Sequence, residues 1–266
     1  MRTDARREAR KQWNKTACGE LAGEADSIEY FDRVRAARYA QSPWVHEYFR
    51  YAEFGGCDVL EIGVGQGSDL LQFAEAGARC HGVDITDKHL ALTQRNFALR
   101  GRAVYLANAD ATALPFADSS FDCVYSFGVL HHIPEIELVL AEAYRVLRPG
   151  GVLKVALYHK WSAFHIFSKI LANGLRNGWL FSKGYAGLLA TIEHGADGIA
   201  IKPYVKLYGR HEVARLMQAF EVEDISVHQL SADHFWPAFI ARGMARWVPR
   251  LDSRLGWYVA CTARRS

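Results

Sequence analysis

The feature of the sequence that most constrains the fold is a regular alternation of short apolar runs and helical segments that begins at Cys57. An apolar run at Asp58–Ile62 is followed by a helical pattern, and the same pair of patterns recurs as far as Leu157. Strands that alternate with helices of about ten residues indicate crossover connections and therefore a parallel sheet. Two later strand patterns lie near Val222–Val227 and Trp257–Thr262. The sequence predicts an α/β fold with seven strand candidates.

Two segments do not follow this alternation. Residues 1–53 have helical patterns with interleaved aromatic residues and no strand-like alternation, so we expect a helical N-terminal lid. The remaining residues, 54–266, are expected to form the main domain. Within it, about fifty residues with helical periodicity separate the fifth strand from the helix that begins at His211, which is too long for a plain connection. We expect this stretch, about 159–208, to be an inserted cap.

Composition narrows the class of protein and its compartment. No apolar run approaches the roughly 20 residues needed to cross a bilayer, and no apolar stretch follows the basic N-terminus as it would in a signal peptide. The five cysteines include no C-x-x-C pair, which predicts a reduced, cytoplasmic protein without a metal site. The net charge is only +3 and basic residues gather at the two ends of the chain, so no nucleic-acid binding is expected.

A glycine-rich turn follows the first strand candidate. Gly63, Gly65 and Gly67 close the run Glu61–Gly67 and precede a helical pattern. Glycines at such a turn allow the backbone to approach a ligand closely, and the first turn of the helix offers unpaired amides. Ser68 stands where the dinucleotide fingerprint G-x-G-x-x-G has its third glycine, which disfavours a nicotinamide or flavin site. The sequence has no G-x-x-x-x-G-K-[ST] pattern, so a P-loop is excluded.

Acidic residues follow the next two strand candidates. Asp84 ends the second strand, twenty-one residues beyond Gly63, where a carboxylate can accept both ribose hydroxyls of a nucleoside. Asp110 follows the third strand, where it would meet the exocyclic amine of the base. We interpret the glycine turn and the two carboxylates as a nucleoside-binding site. For each carboxylate the structural alternative is a helix cap or a surface turn.

Taken together, these residues resemble the class I S-adenosylmethionine-dependent methyltransferases, and among them the small-molecule methyltransferases of the quinone-biosynthesis type. The motifs that carry the resemblance lie in order between residues 57 and 157: E-x-G-x-G-x-G at Glu61–Gly67, the acid Asp84, D-A-x-x-L-P-F at Asp110–Phe116, the segment Asp118–Asp122, L-H-H-I at Leu130–Ile133 and L-R-P-G-G at Leu147–Gly151. They are specific for cofactor and fold, and unspecific for the substrate.

The resemblance implies a Rossmann-like, seven-stranded, mainly parallel sheet with an antiparallel last strand, S-adenosyl-L-methionine as the cofactor and methyl transfer as the reaction. In this family the glycines face the methionine part, Asp84 the ribose, and Asp110 with Ala111 the adenine. Glu61 orders the turn, and Phe127 lines the methyl-transfer site. The cofactor-binding residues implied in this way are Glu61, Gly63, Gly65, Gly67, Asp84, Ile85, Asp110, Ala111 and Phe127.

A general base is needed only if the methyl acceptor arrives protonated. The weak candidates for this base are His131 and His132 after the fourth strand, His159 after the fifth strand, and His194 in the cap. For His131 and His132 the alternative role is hydrogen bonding that shapes the pocket, and for His159 it is that of a solvated loop residue. The sequence therefore leaves the catalytic residue unassigned.

Missing motifs narrow the substrate. No D-P-P-Y-type segment follows the fourth strand, which disfavours a nucleobase amine, and no proline is followed by cysteine, which excludes the covalent route to pyrimidine carbon five. We expect an apolar, hydroxylated or aromatic small molecule that is methylated on oxygen or carbon, with nitrogen as a further choice. The alternatives are an RNA or protein methyltransferase and a cofactor-fold scaffold without turnover.

Residues 235–250 form the last informative segment. At helical spacing its tryptophans and aliphatic residues fall on one stripe, and Arg242, Arg246 and Arg250 fall on an adjacent one. Such a helix is a candidate for peripheral contact with an anionic membrane, whereas packing within its own domain is the alternative. Lysines and tyrosines in residues 202–208 could fix an anionic or phenolic substrate. The oligomeric state stays open.

Overall fold

The chain folds around one seven-stranded sheet. The computed structural model describes residues 2–15, 17–192 and 204–266. The strands are β1 Asp58–Ile62, β2 Arg79–Asp84, β3 Tyr105–Asn108, β4 Phe121–Phe127, β5 Leu147–Tyr158, β6 Glu221–His228 and β7 Tyr258–Arg264. Their order across the sheet is β3-β2-β1-β4-β5-β7-β6.

Helices precede, connect and flank these strands. The α-helices are α1 Arg2–Lys15, α2 Ile28–Gln41, α3 Val45–Phe49, α4 Ser68–Glu75, α5 Asp87–Leu99, α6 Ile136–Val146, α7 Trp179–Leu189, α8 Arg210–Leu216, α9 Ala238–Met244 and α10 Val248–Leu255. A π-helix covers Phe164–Arg176, and short 3₁₀ turns cover Tyr51–Phe54, Leu130–His132, Ala232–His234 and Ala245–Trp247.

Strand direction places the carboxyl ends of six strands at one edge of the sheet. The pairs among β1 to β5 are parallel, and β7 runs antiparallel between β5 and β6. Because β7 is reversed, β6 has the same direction as β5. The strand order changes direction between β1 and β4, which is where open α/β sheets bind ligands. The predicted seven-stranded, mainly parallel sheet with an antiparallel last strand is confirmed.

Both faces of the sheet are buried, as is usual for parallel strands. Consecutive residues of a strand point to opposite faces, and both Val59 and Leu60 of β1 are inaccessible to solvent. Val59 packs in one cluster with Phe73 of α4, whereas Leu60 packs in another with Val139 of α6. Uninterrupted apolar runs are therefore the correct sequence signal for these strands, and the predicted bounds of β1 are those of the structure.

Part of the N-terminal segment packs against the sheet and its helices. Tyr30 and Phe49 are almost completely buried, because α2 packs against α5 and α3 packs into the core beside the sheet. Helix α2 begins after Ser27, whose side chain accepts a hydrogen bond from Tyr30 N at 3.2 Å. Helices α2 and α3 therefore contribute to the core, and the helical N-terminal lid over residues 1–53 stays a prediction.

The described part of the predicted cap contains the π-helix and α7, which pack against each other. Leu189 at the end of α7 packs with Leu207 and Trp257 close to the end of β5. His194, Lys202 and the other residues of 193–203 lie outside the described residues.

Residues 235–250 do not form one continuous amphipathic helix. Helix α9 ends at Met244, a 3₁₀ turn follows, and α10 has Pro249 in its first turn. Ile240 and Met244 pack against Phe235, so part of the apolar stripe serves the interior of the domain. Within the described ranges no helix combines the length and apolar character needed to cross a membrane.

A buried ion pair fastens α2 to α4. The Arg38 guanidinium contacts both carboxylate oxygens of Asp69, in the first turn of α4, and its Nε lies 2.8 Å from Oδ1. The hydroxyls of Tyr39 and Tyr125 donate to the same carboxylate at 2.8 and 2.7 Å. Burial by itself would raise the pKa of Asp69, but the Arg38 charge outweighs it and holds this pKa below its ordinary value. The carboxylate is therefore charged and served by three donor side chains.

Replacing Arg38 with methionine tests this attachment. Arg38→Met leaves the buried Asp69 carboxylate without its cation, so the free energy of unfolding should fall by about 3–5 kcal/mol. Arg35→Met is the matched control in the same helix, because Arg35 pairs with the more exposed Glu75 and such pairs contribute about 0–1 kcal/mol. Urea unfolding followed by circular dichroism measures both variants. Equal losses would contradict the role assigned to Arg38.

Candidate active site

A cavity of about 480 Å³ lies at the carboxyl edge of the sheet, where the strand order changes between β1 and β4. Its lining includes every cofactor-binding residue predicted from the sequence except Gly67. The N-terminal segment contributes Trp13, Cys18, Gly19, Glu20, Leu21, Val34, Ala37, Arg38, Gln41 and Ser42. Later parts of the chain contribute His132, Tyr158, Gln229 and Tyr258.

The turn needs its glycines for two different reasons. A Cβ at Gly63 would lie 2.4 Å from Val129 Cγ2, and one at Gly67 would lie 2.9 Å from Thr93 Cγ2, so close packing excludes side chains at both positions. Gly65 has a φ of +55°, in the left-handed region, and no atom lies within 4 Å of its Cβ position. Gly65 therefore leaves open space along the cavity, whereas Gly67 is the N-cap of α4.

Asp84 is almost completely buried and accepts hydrogen bonds on both carboxylate oxygens. Its Oδ1 accepts from Thr86 N at 2.9 Å and from Thr86 Oγ1 at 2.8 Å. Its Oδ2 lies 3.0 Å from His89 Nδ1 and 3.4 Å from Gly65 N. Because the Gly65 contact is long, Oδ2 is the oxygen with the greater capacity for a further donor.

His89, in the first turn of α5, is a site residue that the sequence patterns did not indicate. The backbone N–H of Cys18 donates to His89 Nε2 at 3.3 Å, so Nε2 carries the lone pair and Nδ1 carries the proton. The Nδ1–H group then donates to Asp84. Gln66 Nε2 also donates to Cys18 O, at 2.9 Å. The loop after α1 is thus bonded both to the glycine turn and to the partner of Asp84.

Glu61 lies at the start of the glycine turn. It is buried, and its Oε2 has no hydrogen-bond partner among the described residues. Burial first, and then the charge of Asp69, raise the pKa of Glu61 well above its ordinary value. The raised pKa favours a protonated side chain, which has a hydrogen to donate at the wall of the cavity.

The residues predicted for adenine and for methyl transfer lie on different parts of the wall. Asp110 Oδ1 accepts from Thr112 N at 2.9 Å and from Thr112 Oγ1 at 2.8 Å, which fixes the turn after β3. Phe127, at the end of β4, has its ring centroid 4.7 Å from that of Tyr258. The Arg38 guanidinium lies over the Phe127 ring at 4.3 Å. Phe127 is therefore held by neighbours from distant parts of the chain.

Among the predicted base candidates in the described part of the chain, His132 alone lines the cavity. Its Nδ1 lies 2.9 Å from Tyr204 O. A carbonyl oxygen only accepts, so Nδ1 is the donor and the lone pair of the neutral ring is on Nε2. His132 is therefore the histidine of the predicted set that could take a proton from an acceptor.

His131 and His159 do not line the cavity. His131 is buried and stacks on Tyr158 with ring centroids 3.6 Å apart. Neither of its ring nitrogens has a hydrogen-bond partner among the described residues, and burial, followed by His132, lowers its pKa well below the ordinary value. His159 is buried with Nδ1 3.1 Å from Gly256 O, so it is not the solvated loop residue of the alternative interpretation.

The described residues of the predicted cap lie outside the lining of the cavity. None of those in 160–192 or 204–208 lines it. Lys206 N instead donates to His131 O at 3.0 Å, which docks the end of the cap on the turn after β4. Gln229, which follows β6, does line the cavity. It reaches this edge because β6 runs in the same direction as β5.

In sequence, known proteins match one part of the chain. Residues 60–155 match the family model described as methyltransferase domain. The demethylmenaquinone methyltransferase of Thermus thermophilus is 40% identical over 100 residues, which are 36% of this chain and 45% of that protein. Phosphoethanolamine N-methyltransferase 2 of Caenorhabditis elegans is 35% identical over 114 residues, which are 42% of this chain and 26% of that protein. The chain therefore matches less than half the length of either relative.

A solved structure resembles the chain over almost its whole length. It is that of magnesium protoporphyrin IX methyltransferase from Synechocystis with bound SAH, with a TM-score of 0.60 and 15% identity, covering 99% of this chain and 100% of that chain. At this identity the likeness shows the fold alone. The resemblance predicted from the motifs is confirmed: residues 60–155 are a methyltransferase domain, in a chain that has the fold of S-adenosylmethionine-dependent methyltransferases.

Proposed function

We propose that the chain transfers a methyl group from S-adenosyl-L-methionine to oxygen or carbon of an apolar, hydroxylated or aromatic small molecule. The observation that carries the proposal is that one cavity joins Asp84 and the glycine turn to the aromatic residues Phe127, Tyr158 and Tyr258. Its volume of about 480 Å³ is within the usual range of small-molecule sites, about 300–1,000 Å³.

The nucleoside side of the cavity fits the cofactor chemically. Asp84 Oδ2 would accept from the ribose hydroxyls, and Asp110 would accept from the amine of the adenine. Gln66 Oε1, buried and without a partner among the described residues, is an acceptor atom that the ammonium of the methionine part could satisfy. S-adenosyl-L-methionine, when bound, supplies an electrophilic methyl group.

The remaining residues would orient the acceptor and keep water out. Phe127 and Tyr258 form an apolar wall beside the nucleoside site. Holding two reactants in line can lower a barrier by about 7–11 kcal/mol, so this positioning is the main demand of the reaction. His132 Nε2 would take the proton from an acceptor that arrives protonated.

The aromatic wall favours an apolar acceptor. The two relatives are named for demethylmenaquinone and for phosphoethanolamine, so relationship by itself does not choose between an apolar and a polar molecule. Tyr158 and Phe127, by contrast, present large apolar surfaces. A charged acceptor placed against them would lose its contact with water and gain no polar partner there. An RNA or protein acceptor and a scaffold without turnover are the competing functions.

Contact with an anionic membrane through residues 235–250 stays a prediction. Phe239 is 74% exposed and Trp247 is 41% exposed. The guanidinium groups of Arg246 and Arg250 lie over the Trp247 ring at 5.6 and 5.4 Å. Exposed aromatic rings beside arginines suit the headgroup region of an anionic bilayer, which could deliver an apolar acceptor.

Loss of the Asp84 charge tests the cofactor site. Asp84→Asn removes a charged acceptor, so affinity for S-adenosylhomocysteine (SAH) should fall roughly 10- to 150-fold. Asp118→Asn is the control, since Asp118 pairs with Arg145 and does not line the cavity. Isothermal titration calorimetry measures both variants. Unchanged affinity in Asp84→Asn would overturn the assignment.

The acceptor class is tested with methyl-labelled S-adenosylmethionine and total cell extract. We expect the label to partition into organic solvent, because the acceptor is an apolar small molecule, and Asp84→Asn should transfer much less label. Label found mainly in the RNA or protein fraction would overturn the small-molecule proposal. Binding of SAH without transfer to any fraction would favour the scaffold.

We also propose that residues 2–21 form the lid. Trp13 in α1 and the loop Cys18–Leu21 line the cavity. Lys88 Nζ lies 2.9 and 2.8 Å from the two carboxylate oxygens of Glu20, which ties the loop to α5. The lid therefore covers the nucleoside side through contacts with α5 and the glycine turn.

Deletion of residues 2–21 tests the lid. The shortened chain keeps the Ser27 cap of α2, so circular dichroism should show a folded domain, while SAH affinity drops and methyl transfer falls to background because water enters the cavity. Deletion of residues 2–11 is the control, because it keeps Trp13 and the loop. Full methyl transfer after the longer deletion would refute the lid.

A further inference from the structure

Gln229, the residue that follows β6, has an uncommon backbone conformation. Its φ is +72°, in the left-handed region that non-glycine residues rarely occupy. Such conformations persist where the surrounding structure holds them, and they concentrate at ligand sites. Gln229 lies at the carboxyl edge of the sheet and lines the cavity.

The side-chain amide of Gln229 is held in one orientation. Its Oε1 accepts from Ser42 Oγ at 2.6 Å and from Trp44 Nε1 at 3.1 Å. An indole N–H can only donate, so the atom facing Trp44 must be the oxygen and not the nitrogen. Trp44 is itself stacked on His228, with ring centroids 4.3 Å apart and planes 3° from parallel.

The amide nitrogen is left as the functional end of the side chain. With Oε1 occupied twice, Nε2 carries two hydrogens, and in the part of the chain that the structure describes it donates to no group. Aromatic rings of Phe127 and Tyr258 line the same cavity. A pair of fixed N–H donors beside aromatic walls is suited to a flat molecule that carries an oxygen.

We propose, on the basis of the proposed function, that Gln229 is a specificity-determining residue that donates from Nε2 to a hydroxyl or carbonyl oxygen on an aromatic ring of the acceptor. A donor that a bound ring covers without offering an acceptor loses its contact with water and gains no partner, so rings without an oxygen are rejected. The contact also fixes how the ring lies between the aromatic walls.

A purely structural role is the competing interpretation, since Gln229 joins the segment after α2 to the end of β6. Gln229→Glu separates the two roles. Its carboxylate still accepts from Ser42 and Trp44, so a structural role would be preserved, but it has no N–H to donate. Gln229→Met removes both functions.

The probes are 2-acetonaphthone and 2-ethylnaphthalene, which differ by a carbonyl oxygen that can accept but not donate a hydrogen bond. Ligand-observed saturation-transfer NMR on the full chain, with and without SAH, measures both affinities. The wild-type protein should prefer 2-acetonaphthone by about fivefold to tenfold. Gln229→Glu should lose this preference while SAH affinity and the urea midpoint remain those of the wild type.

Each other outcome has a distinct meaning. Equal wild-type affinities for the two probes would overturn the inference without any variant, and so would a preference that survives in Gln229→Glu. Failure of the wild-type protein to bind SAH would count against the proposed function instead, because the comparison of the two probes is also made without SAH.

Discussion

The buried ion pair between Arg38 and Asp69 holds together the parts of the molecule that meet at the cavity. Arg38 belongs to α2 and Asp69 to the helix after the glycine turn, while Tyr125 of β4 donates to the same carboxylate. Charges this deep are tolerated only when paired and hydrogen bonded. Arg38 also lies over Phe127, and the Asp69 charge contributes to the raised pKa of Glu61. The glycine turn and the aromatic wall are therefore connected through one contact.

A second chain of contacts connects the lid to the nucleoside side. The Cys18 backbone donates to His89, and His89 in turn donates to Asp84. The donor at Cys18 selects the tautomer of the ring, so the hydrogen bonding of the Asp84 carboxylate depends on where the loop lies. The position of the loop and the hydrogen bonding of Asp84 are for this reason linked through one backbone amide and one imidazole.

The acceptor side is built mainly outside the methyltransferase domain. Ser42 and Trp44 lie before the matched residues 60–155, and Gln229 lies well after them. The two segments meet because the reversed β7 brings the end of β6 to the carboxyl edge. A common nucleoside site can therefore be combined with different acceptor walls, which agrees with relatives whose names give chemically unlike acceptors.

The local sequence pattern determined the fold class, the bounds of β1, the glycine turn and the position of Asp84. Hydrophobic periodicity, apolar runs and turn residues are properties of residues that are neighbours in the sequence, so they can be recognised before the chain folds. Tertiary structure alone decided the rest. The hydrogen bond between Ser42 and Gln229 joins residues 187 positions apart, and no periodicity records such a contact. For the same reason the sequence did not indicate His89 or Gln229, and it left open which histidine reaches the cavity. Direction of strands, burial and hydrogen-bond partners decide those questions, and they exist only once the chain has folded.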